Sequence, residues 1–483
     1  MVAEKPQKTV NDPDAFYEAR SQSWPVIDAL ASTRAMRKAA KSNLDIMKPL
    51  GKEEHHKFCQ RIDETVLFPA YANATRDLAN RPFTRDVIVE NLPEQLDYVD
   101  NVDGANTTVT DFAKSVYSDL VTKGWLYAMV DMPPVGEEYT LADEQALGVR
   151  PMFVRIEPKN LIGYRSMMVG GREVVTQVRI REMAIVEDGE FGQNTVDRVR
   201  VINGAIGDKP GSFQVWQETK SDDGKKAWGV IEQGPFNYPQ GVPIVAMSAE
   251  SDGNPPMEHL AWLNVDHFRS SSLQTHYLSF ARVGMLTATG VKPDELAKEL
   301  RPGVWLHSAN KDAKFGTTEF DCTAIDAGAR DLEHREQQMS RCSLEPLVSK
   351  HQTTATEQDI NEKRQASPAQ AWAKTTERAL RQLYSYAATW IGVELADDFK
   401  CDVDDKFTLS QGDAKEIKDV YEARLITHRT ALHELVRRGT LDENTDIEAE
   451  IEGVQAREGS EYDHIAEIIE SARSTVQPLV IDQ

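Results

Sequence analysis

Residues 241–285, GVPIVAMSAESDGNPPMEHLAWLNVDHFRSSSLQTHYLSFARVGM, decide the fold. The apolar run VPIVAM at 242–247 has the length and composition of a buried strand. The paired prolines at 255–256 suit the start of a helix, and the helical pattern then continues for about 25 residues, which is longer than the average globular helix. The stretch therefore predicts a β-rich unit that ends where a long helix begins.

The middle of this predicted helix contains Ser270, Ser271 and Ser272. Serine is a poor interior helix former, so the run is compatible with a local weakness or break in the helix. The same small side chains would also suit a helix that packs closely against its neighbours. The sequence leaves both interpretations open.

The chain before this stretch predicts a helical part and a β-rich part. Residues 1–14 predict a polar tail, and a helical pattern runs from there to about Asn80. A further helix is predicted from about Thr110 to Gly124, a suitable C′ residue, and a short buried strand follows. Between 151 and 248, segments rich in β-branched and aromatic residues alternate with Gly, Asn and Asp clusters, which is typical of hairpins.

The chain after the stretch predicts a small insert and two more long helices. In the insert, MLTATGV, GVWLHS and TEFDCTAI predict strands, and PDELAKEL predicts a short helix. Long helices are predicted over 328–348 and about 360–392, separated by the polar stretch SKHQTTATEQD. A strand, two helices and an acidic end follow. The whole pattern predicts an α+β fold.

Composition limits the function classes. The 483 residues include 55 Lys+Arg and 78 Asp+Glu, a formal net charge of −23, and 40% hydrophobic residues. The hydrophobic content is sufficient for a buried core, so whole-chain disorder is not expected. The acidity argues against a protein that coats DNA through a broad basic face, because neutralising phosphates requires clustered Lys and Arg.

The cysteines and the apolar runs give further expectations. Cys59, Cys322, Cys342 and Cys401 are far apart and form no CxxC pair, which disfavours a disulfide framework or a zinc cluster and favours a reducing compartment. The polar N-terminal residues predict no signal peptide. The sequence has no run of 18 apolar residues, so we expect no transmembrane helix and no membrane partner.

The sequence contains none of the common catalytic motifs: no P-loop, GxGxxG fingerprint, GxSxG elbow or HExxH. His55 and Cys59 lie one helical turn apart, but a closed zinc site needs four ligands. The acidic residues Asp397, Asp398, Asp402, Asp404 and Asp405 are either Mg²⁺ ligands for phosphodiester chemistry or, in the favoured interpretation, a solvated turn. We therefore expect no enzyme activity, no cofactor and no metal site.

The order of the predicted elements resembles that of the portal protein of tailed bacteriophages. The similarity covers most of residues 15–455, and no single segment is diagnostic. Besides GVPIVAM with PPMEHLAWLNVDHFRSSS, it is carried by three segments. They are DFAKSVYSDLVTKGWLYAMVDMPP with RPMFVRIEPKNLIGYR, TTATEQDINEKRQASPAQAWAKTTERALRQLYSYAATWIG, and DVDDKFTLSQGDAKEIKDVYEARL.

This resemblance implies a portal-type fold in seven parts after the tail. They are a helical and β wing over 15–255, a first stem helix over 256–282, a small α/β clip over 283–327, a second stem helix over 328–348, a tunnel loop over 349–358, a long wing helix with a strand over 359–410, and a C-terminal helical crown with a tail over 411–483. The resemblance also supplies the candidate site residues. DNA-channel candidates are Ser349, Lys350, His351, Gln352, Thr353 and Thr354, and partner-docking candidates in the clip are Lys292, Asp294, Glu295 and Lys298.

The resemblance implies a structural ring at the unique capsid vertex through which double-stranded DNA is packaged and ejected. Family members form rings of twelve, which implies a dodecamer of about 650 kDa for chains of 54.1 kDa. The implied partners are the DNA, without sequence specificity, the terminase large subunit, the major capsid protein and head–tail adaptor proteins. The implied location is the virion, after assembly in the cytoplasm of the host bacterium. Two alternatives remain open: another virion structural or scaffold protein, and a metal-dependent phosphodiesterase.

The acidity is compatible with a DNA conduit. Residues 400–470 contain 19 acidic and 9 basic residues, whereas residues 329–364 contain 7 acidic and 6 basic ones. A channel wall that neutralised many phosphates would hold the DNA in place. A weakly repulsive wall with few basic points would let it slide, and repetition around a ring would strengthen the field.

Overall fold

The structure is a computed structural model of the chain, and it describes residues 8–132, 149–220, 226–283, 285–291, 310–318, 322–342 and 355–405, with 417–418, 421–424, 426–437, 441 and 447–451. Met1–Asp405 and Lys406–Gln483 are separate compact units. The first unit combines helices with sheets in which every described strand pair is antiparallel. The fold is therefore mixed α and β.

Five helices occupy the region in which the sequence predicts a helical pattern. They are α1 (Ala15–Arg20), α2 (Trp24–Ala29), α3 (Thr33–Ser42), α4 (His55–Glu64) and α5 (Ala70–Asn80). Asp14 begins α1 by accepting a hydrogen bond from the backbone N–H of Tyr17 at 2.9 Å. Such a side-chain cap satisfies one of the free donors of the first turn.

A three-stranded sheet follows the helix α6 (Val109–Lys123). Its strands β2 (Trp125–Asp131), β3 (Met152–Arg155) and β9 (Ile244–Ser248) lie in the order β3–β2–β9. Gly124 ends α6 with φ +77°, which is the left-handed conformation expected at this position. The predicted strand VPIVAM is thus the outer strand β9, whose Ala246 pairs with Tyr127.

The β-rich region forms a five-stranded meander. Its strands are β4 (Leu161–Val169), β5 (Arg172–Asp188), β6 (Gly192–Asn203), β7 (Gly211–Lys220) and β8 (Lys226–Phe236), and each pairs with the next. Most of the buried side chains of this sheet form a core with those of the three-stranded sheet, whereas Ile162, Val199 and Val201 form a second cluster. This packing of two apolar faces explains why the region alternates between buried and exposed positions.

Part of the predicted polar tail contacts the five-stranded sheet. Arg179 Nη1 donates hydrogen bonds to the carbonyl oxygens of Val10 and Asp12, both at 2.8 Å, and Arg181 Nε donates to Asn11 Oδ1 at 3.0 Å. Residues 10–12 of the predicted polar tail thus contact β5, and Asp14 caps α1.

The predicted long helix is continuous through the three serines. This helix, α7, spans Glu258–Val283. Of the two interpretations that the sequence leaves open, the break at the serines is therefore wrong. The strands β10 (Met285–Thr289) and β11 (Lys314–Thr318) follow and form a hairpin, and α8 spans Cys322–Cys342. Part of the predicted strand TEFDCTAI is thus the first turn of α8, which begins before the predicted residue 328. The predicted GVWLHS strand and PDELAKEL helix lie outside the described residues.

The third long helix, α9, spans Ala355–Ile391. Residues 355–358, predicted as the end of a loop, are therefore helical. One face of this helix is a buried apolar stripe of Trp372, Leu380, Leu383, Tyr384 and Ala387. After α9, β12 (Lys400–Asp402) pairs with β1 (Ile88–Glu90).

The second unit is described only in part. Its described helix, α10 (His428–Arg437), begins after Thr427, whose Oγ1 accepts from the backbone N–H of Thr430 at 3.2 Å. Arg429 lies 2.6 Å from a carboxylate oxygen of Glu448. Across the described parts of both units, no helix is long and apolar enough to cross a membrane.

Candidate functional site

The two helices α7 and α8 form an antiparallel pair. Gln274 Nε2 donates to the carbonyl of Ile325 at 2.8 Å, and His267 Nε2 lies 3.3 Å from Glu336 Oε1. Residues nearer the start of α7 thus contact residues nearer the end of α8, so the two helices run in opposite directions. The hairpin β10–β11 connects the far ends of the two helices.

The contact face of α8 is narrow. Ile325, Gly328, Leu332, Arg335 and Met339 recur at alternating three- and four-residue steps and are among the less exposed positions, which also include Gln338 and Ser340 near the end of the helix. Of the side chains described in α8, Met339 alone is buried. A stripe of two positions per seven residues covers one neighbouring helix only. The remaining circumference of α8 is therefore open to a further partner.

Close packing of the pair depends on Gly328. A Cβ atom at this position would lie 2.1 Å from Oε1 of Gln274. Gly328 thus leaves room for the Gln274 side chain to reach the backbone of α8. This contact shows how small residues on α8 allow α7 to approach.

Charged groups cross the interface at its edges. The carboxylate of Asp331 accepts hydrogen bonds from Arg335 and Ser270, and both lower its pKa, Arg335 more strongly. Ser270, one of the three serines, therefore faces α8 and binds it. The outer face of α8 has mixed charge, with Arg330, Glu333 and Arg341 exposed.

His267 is the buried titratable group of the pair. Its side chain is 7% exposed, and burial lowers its pKa while the hydrogen bond with Glu336 opposes that shift. Its Nδ1 atom is buried and has no hydrogen-bond partner among the described residues. The environment therefore favours the neutral imidazole.

The opposite side of α7 is fixed to the N-terminal helices. Asn264 Oδ1 accepts from the backbone N–H of Tyr71 at 3.0 Å, and its Nδ2 donates to the carbonyl of Phe68 at 2.9 Å. Asn264 is fully buried, and both of its polar ends are satisfied. It thereby joins α7 to the start of α5.

A second buried connection lies two turns further along α7. Arg61 Nη1 donates to Ser272 Oγ at 2.9 Å, and its Nε and Nη2 donate to the two carboxylate oxygens of Glu53 at 2.9 and 2.7 Å. Hydrogen bonding from Arg61 lowers the pKa of Glu53. Sequence reasoning missed this pair, because a charged residue in an amphipathic helix is normally expected on the solvated face.

The two sets of site residues predicted from the resemblance cannot be placed. The channel candidates Ser349, Lys350, His351, Gln352, Thr353 and Thr354 and the clip candidates Lys292, Asp294, Glu295 and Lys298 lie outside the described residues. The described elements next to the two sets are the C-terminal end of α8, the start of α9 and the hairpin β10–β11.

The candidate metal ligands do not converge. Cys59 Sγ lies 3.6 Å from His55 Nε2, as the helical spacing predicts, yet the described residues contain no group of three or more ligands that could hold a metal ion. Asp402 instead pairs with Arg381 at 2.8 Å, and Asp405 pairs with Lys374 at 3.1 Å. The acidic cluster is thus used, at least at these two positions, to bind α9.

A polar cleft of about 480 Å³ lies between β3 and the strands β5 and β6. Arg200 Nη1 donates to Asp131 Oδ2 at 3.0 Å, and its Nε lies 2.9 Å from Glu182 Oε1. Burial raises the pKa of both carboxyls, and Arg200 opposes the shift. Because one guanidinium binds both carboxylates, the arrangement favours a structural ion cluster over an acid–base pair.

Comparison with known proteins adds three findings. The model of a domain of unknown function, DUF4055, matches residues 256–391, which is less than a third of the chain and runs from just before α7 to the end of α9. No curated protein matches the sequence. Solved structures also match, among them three at 11–13% sequence identity.

Three of these structures come from gene transfer agent (GTA) particles. The neck of a native particle, with C12 symmetry, has 13% identity and a TM-score of 0.35, covering 77% of this chain and 90% of that one. The neck of an empty particle, with C6 symmetry, has 12% identity and a TM-score of 0.38 at the same coverage. A chain of the native GTA virion has 11% identity and a TM-score of 0.34, covering 83% of this chain and 98% of that one.

Proposed function

We propose that the chain is the subunit of a portal ring in a phage-type particle. In this proposal, copies of the chain surround a channel for double-stranded DNA at one capsid vertex. The chain has no catalytic activity of its own, binds no cofactor, and belongs to the virion. The ring docks the terminase large subunit during packaging and head–tail adaptor proteins afterwards, and the major capsid protein surrounds it.

The observation that carries the proposal is the exposed outer face of the antiparallel pair α7–α8. α8 is 21 residues long, yet it buries a narrow stripe against α7. α7 is held to the rest of the unit by Asn264 and Ser272, so the pair is fixed at one side. A helix with most of its circumference exposed is suited to neighbours supplied by assembly.

The order of the elements gives further support. The strand β9 of the antiparallel three-stranded sheet leads into a long helix, a small hairpin follows, a long helix returns, and a third long helix packs on the three-stranded sheet. The portal resemblance implies this order, with the pair α7–α8 as stem, β10–β11 in the clip and α9 as the wing helix. The channel candidates 349–354 would then lie between stem and wing.

The charge distribution is compatible with passage of DNA. A closed ring uses two different surfaces of each subunit, which meet head to tail. The mixed charge of α8 provides few strong attachment points for phosphates, whereas a uniformly basic helix would add a salt-sensitive contact at each lysine or arginine. ATP hydrolysis would belong to the separate motor, in agreement with the absence of a P-loop in the sequence.

Size-exclusion chromatography with light scattering tests the proposal. We expect a single species of about 650 kDa for a closed ring of twelve chains. A monodisperse monomer or dimer at every concentration would contradict the proposal. A magnesium-dependent nuclease assay tests the alternative that the chain is a phosphodiesterase. We expect no activity in the wild-type chain or in Asp404→Ala. Activity in the wild-type chain that Asp404→Ala abolishes would favour the phosphodiesterase.

A further inference from the structure

A hairpin tip, formed by residues 183–197, extends beyond the five-stranded sheet. β4 pairs with β5 over residues 172–180, and β7 pairs with β6 over residues 198–203. Residues 183–188 and 192–197 pair with each other. Both outer edges of the tip thus lack a strand partner among the residues that the structure describes. A two-stranded hairpin of this kind is marginally stable in water and gains most from a partner.

The hairpin tip exposes large apolar side chains. Met183 is 73% exposed and Ile185 is 67% exposed, and both lie on one face of β5 because side chains two positions apart share a face. Phe191 is 91% exposed in the turn, where Gly189 has φ +74°. Apolar side chains exposed in one place mark an interaction surface more often than a solvated one.

The charge of the hairpin tip restricts the partner. Glu187, Asp188, Glu190 and Asp197 lie within it, and the segment has no Lys or Arg. Four acidic groups repel nucleic acid and anionic lipid surfaces. The tip therefore fits a protein surface that is basic and also exposes apolar side chains.

The same chain has such a surface on α3. Arg34, Lys38 and Lys41 recur at helical spacing and are all exposed. Lys41 pairs with Asp63 at 2.6 Å, while Arg34 and Lys38 have no ion-pair partner in the described parts of the chain. Two cations on one face thus remain available to an acidic partner.

Two exposed apolar residues lie next to these cations. Leu44, 61% exposed, follows the end of α3. Val66, 63% exposed, follows Thr65, whose carbonyl accepts from Arg37 Nε at 2.9 Å. That hydrogen bond and the Lys41–Asp63 pair hold the 63–66 segment beside α3. We call Arg34, Lys38, Lys41, Leu44 and Val66 the α3 face.

We propose that the hairpin tip of one copy of the chain binds the α3 face of the next copy. Phe191 packs against Leu44 and Val66, and Glu187 and Glu190 pair with Arg34 and Lys38. The two surfaces share no residue, so the contact can repeat head to tail from copy to copy, as a closed ring requires. This inference rests on the proposed ring function, and it identifies which surfaces join the subunits.

Charge reversal in the full-length chain tests the contact. We expect Glu187→Lys with Glu190→Lys, or Arg34→Glu with Lys38→Glu, to raise the concentration of half-assembly about tenfold by placing like charges together. Combining all four substitutions should restore assembly. The matched control is Glu173→Lys with Glu232→Lys, which makes the same charge change at exposed sites outside the hairpin tip and should leave assembly unchanged. Unchanged assembly in both reversal variants would overturn the inference.

A photo-crosslink identifies the occupant directly. A benzophenone amino acid at position 191 in a mixture of heavy- and light-isotope chains should give crosslinks between chains, mapped to residues 34–44 or 63–66. Crosslinks within one chain, or to another surface, would overturn the inference while the ring remains supported. If the wild-type chain forms no ring at all, the proposed function and this inference both fail.

Discussion

Arg61 Nη1 lies 2.9 Å from Ser272 Oγ, and the two residues are 4% and 0% exposed. The same guanidinium binds both carboxylate oxygens of Glu53. The middle of the long helix α7 is thereby fixed to α4 through a hydrogen-bonded ion pair. This contact explains why a serine is accepted there: a larger apolar residue would leave a buried donor of Arg61 without an acceptor.

Replacing Arg61 should destabilise the unit strongly. Arg61→Met leaves the carboxylate of Glu53, 8% exposed, without its cation, and we expect a loss of about 3 kcal/mol in the free energy of unfolding. Urea denaturation measures the change. The control is Lys41→Met, whose partner Asp63 is 53% exposed, with an expected loss of about 0.5 kcal/mol. Equal losses in the two variants would contradict the buried connection.

Acidification should weaken the α7–α8 pair through His267. Burial lowers the pKa of His267 below its ordinary 6.5 in the folded chain, so the unfolded chain binds the proton more readily. The neutral imidazole of His267 contributes fully to the free energy of unfolding above about pH 6.5. This contribution is lost as the pH falls towards the lowered pKa of His267 in the folded chain. In urea titrations at several pH values, His267→Gln should show a smaller loss over this range. Identical pH profiles for the two proteins would contradict the assignment.

The junction before α7 should depend on Gly124. Its φ is +77°, and an added Cβ would lie 2.5 Å from the carbonyl oxygen of Asn254. We expect Gly124→Ala to cost more than about 2 kcal/mol, since a left-handed alanine alone costs about 1 kcal/mol. Gly170→Ala is the matched control, with φ +57° and open space. Similar melting temperatures for the two variants would exclude the close approach of the 254 segment.

The candidate tunnel loop gives a functional prediction. Deleting residues 350–354 should leave the ring intact, because these residues lie between two helices whose described contacts are made elsewhere. It should reduce packaging or retention of DNA, measured as DNA protected from nuclease in assembled particles. The control replaces the same five residues by glycine and serine, which keeps the length of the connection. Full packaging by the deletion variant would remove these residues from the channel.

The sequence predicted the elements better than their contacts. Hydrophobic periodicity located α9, because its buried side chains pack along one continuous sheet and helix surface. It left the continuity of α7 open at Ser270–Ser272, since serine propensity is local. Tertiary hydrogen bonds from Arg61 and to Asp331 decided the outcome.

Other features of the candidate site could not be predicted because distant contacts create them. Val10, Asn11 and Asp12 look like a solvated tail, yet Arg179 and Arg181 bind them. Helix α8 begins several residues before its predicted start at 328. A short apolar run such as Cys322–Ile325 is equally compatible with a strand, so the pattern could not locate the boundary. The sequence does show a phenylalanine, Phe191, in an acidic turn between glycines. Its exposure, however, is a property of the fold and cannot be derived from that pattern.

Class averages of the purified full-length protein by electron microscopy test the central claim most directly. The proposal predicts end views of a closed ring with a central hole and twelvefold symmetry, as the resemblance to portal proteins implies. Compact particles of one or two chains without a hole would contradict it.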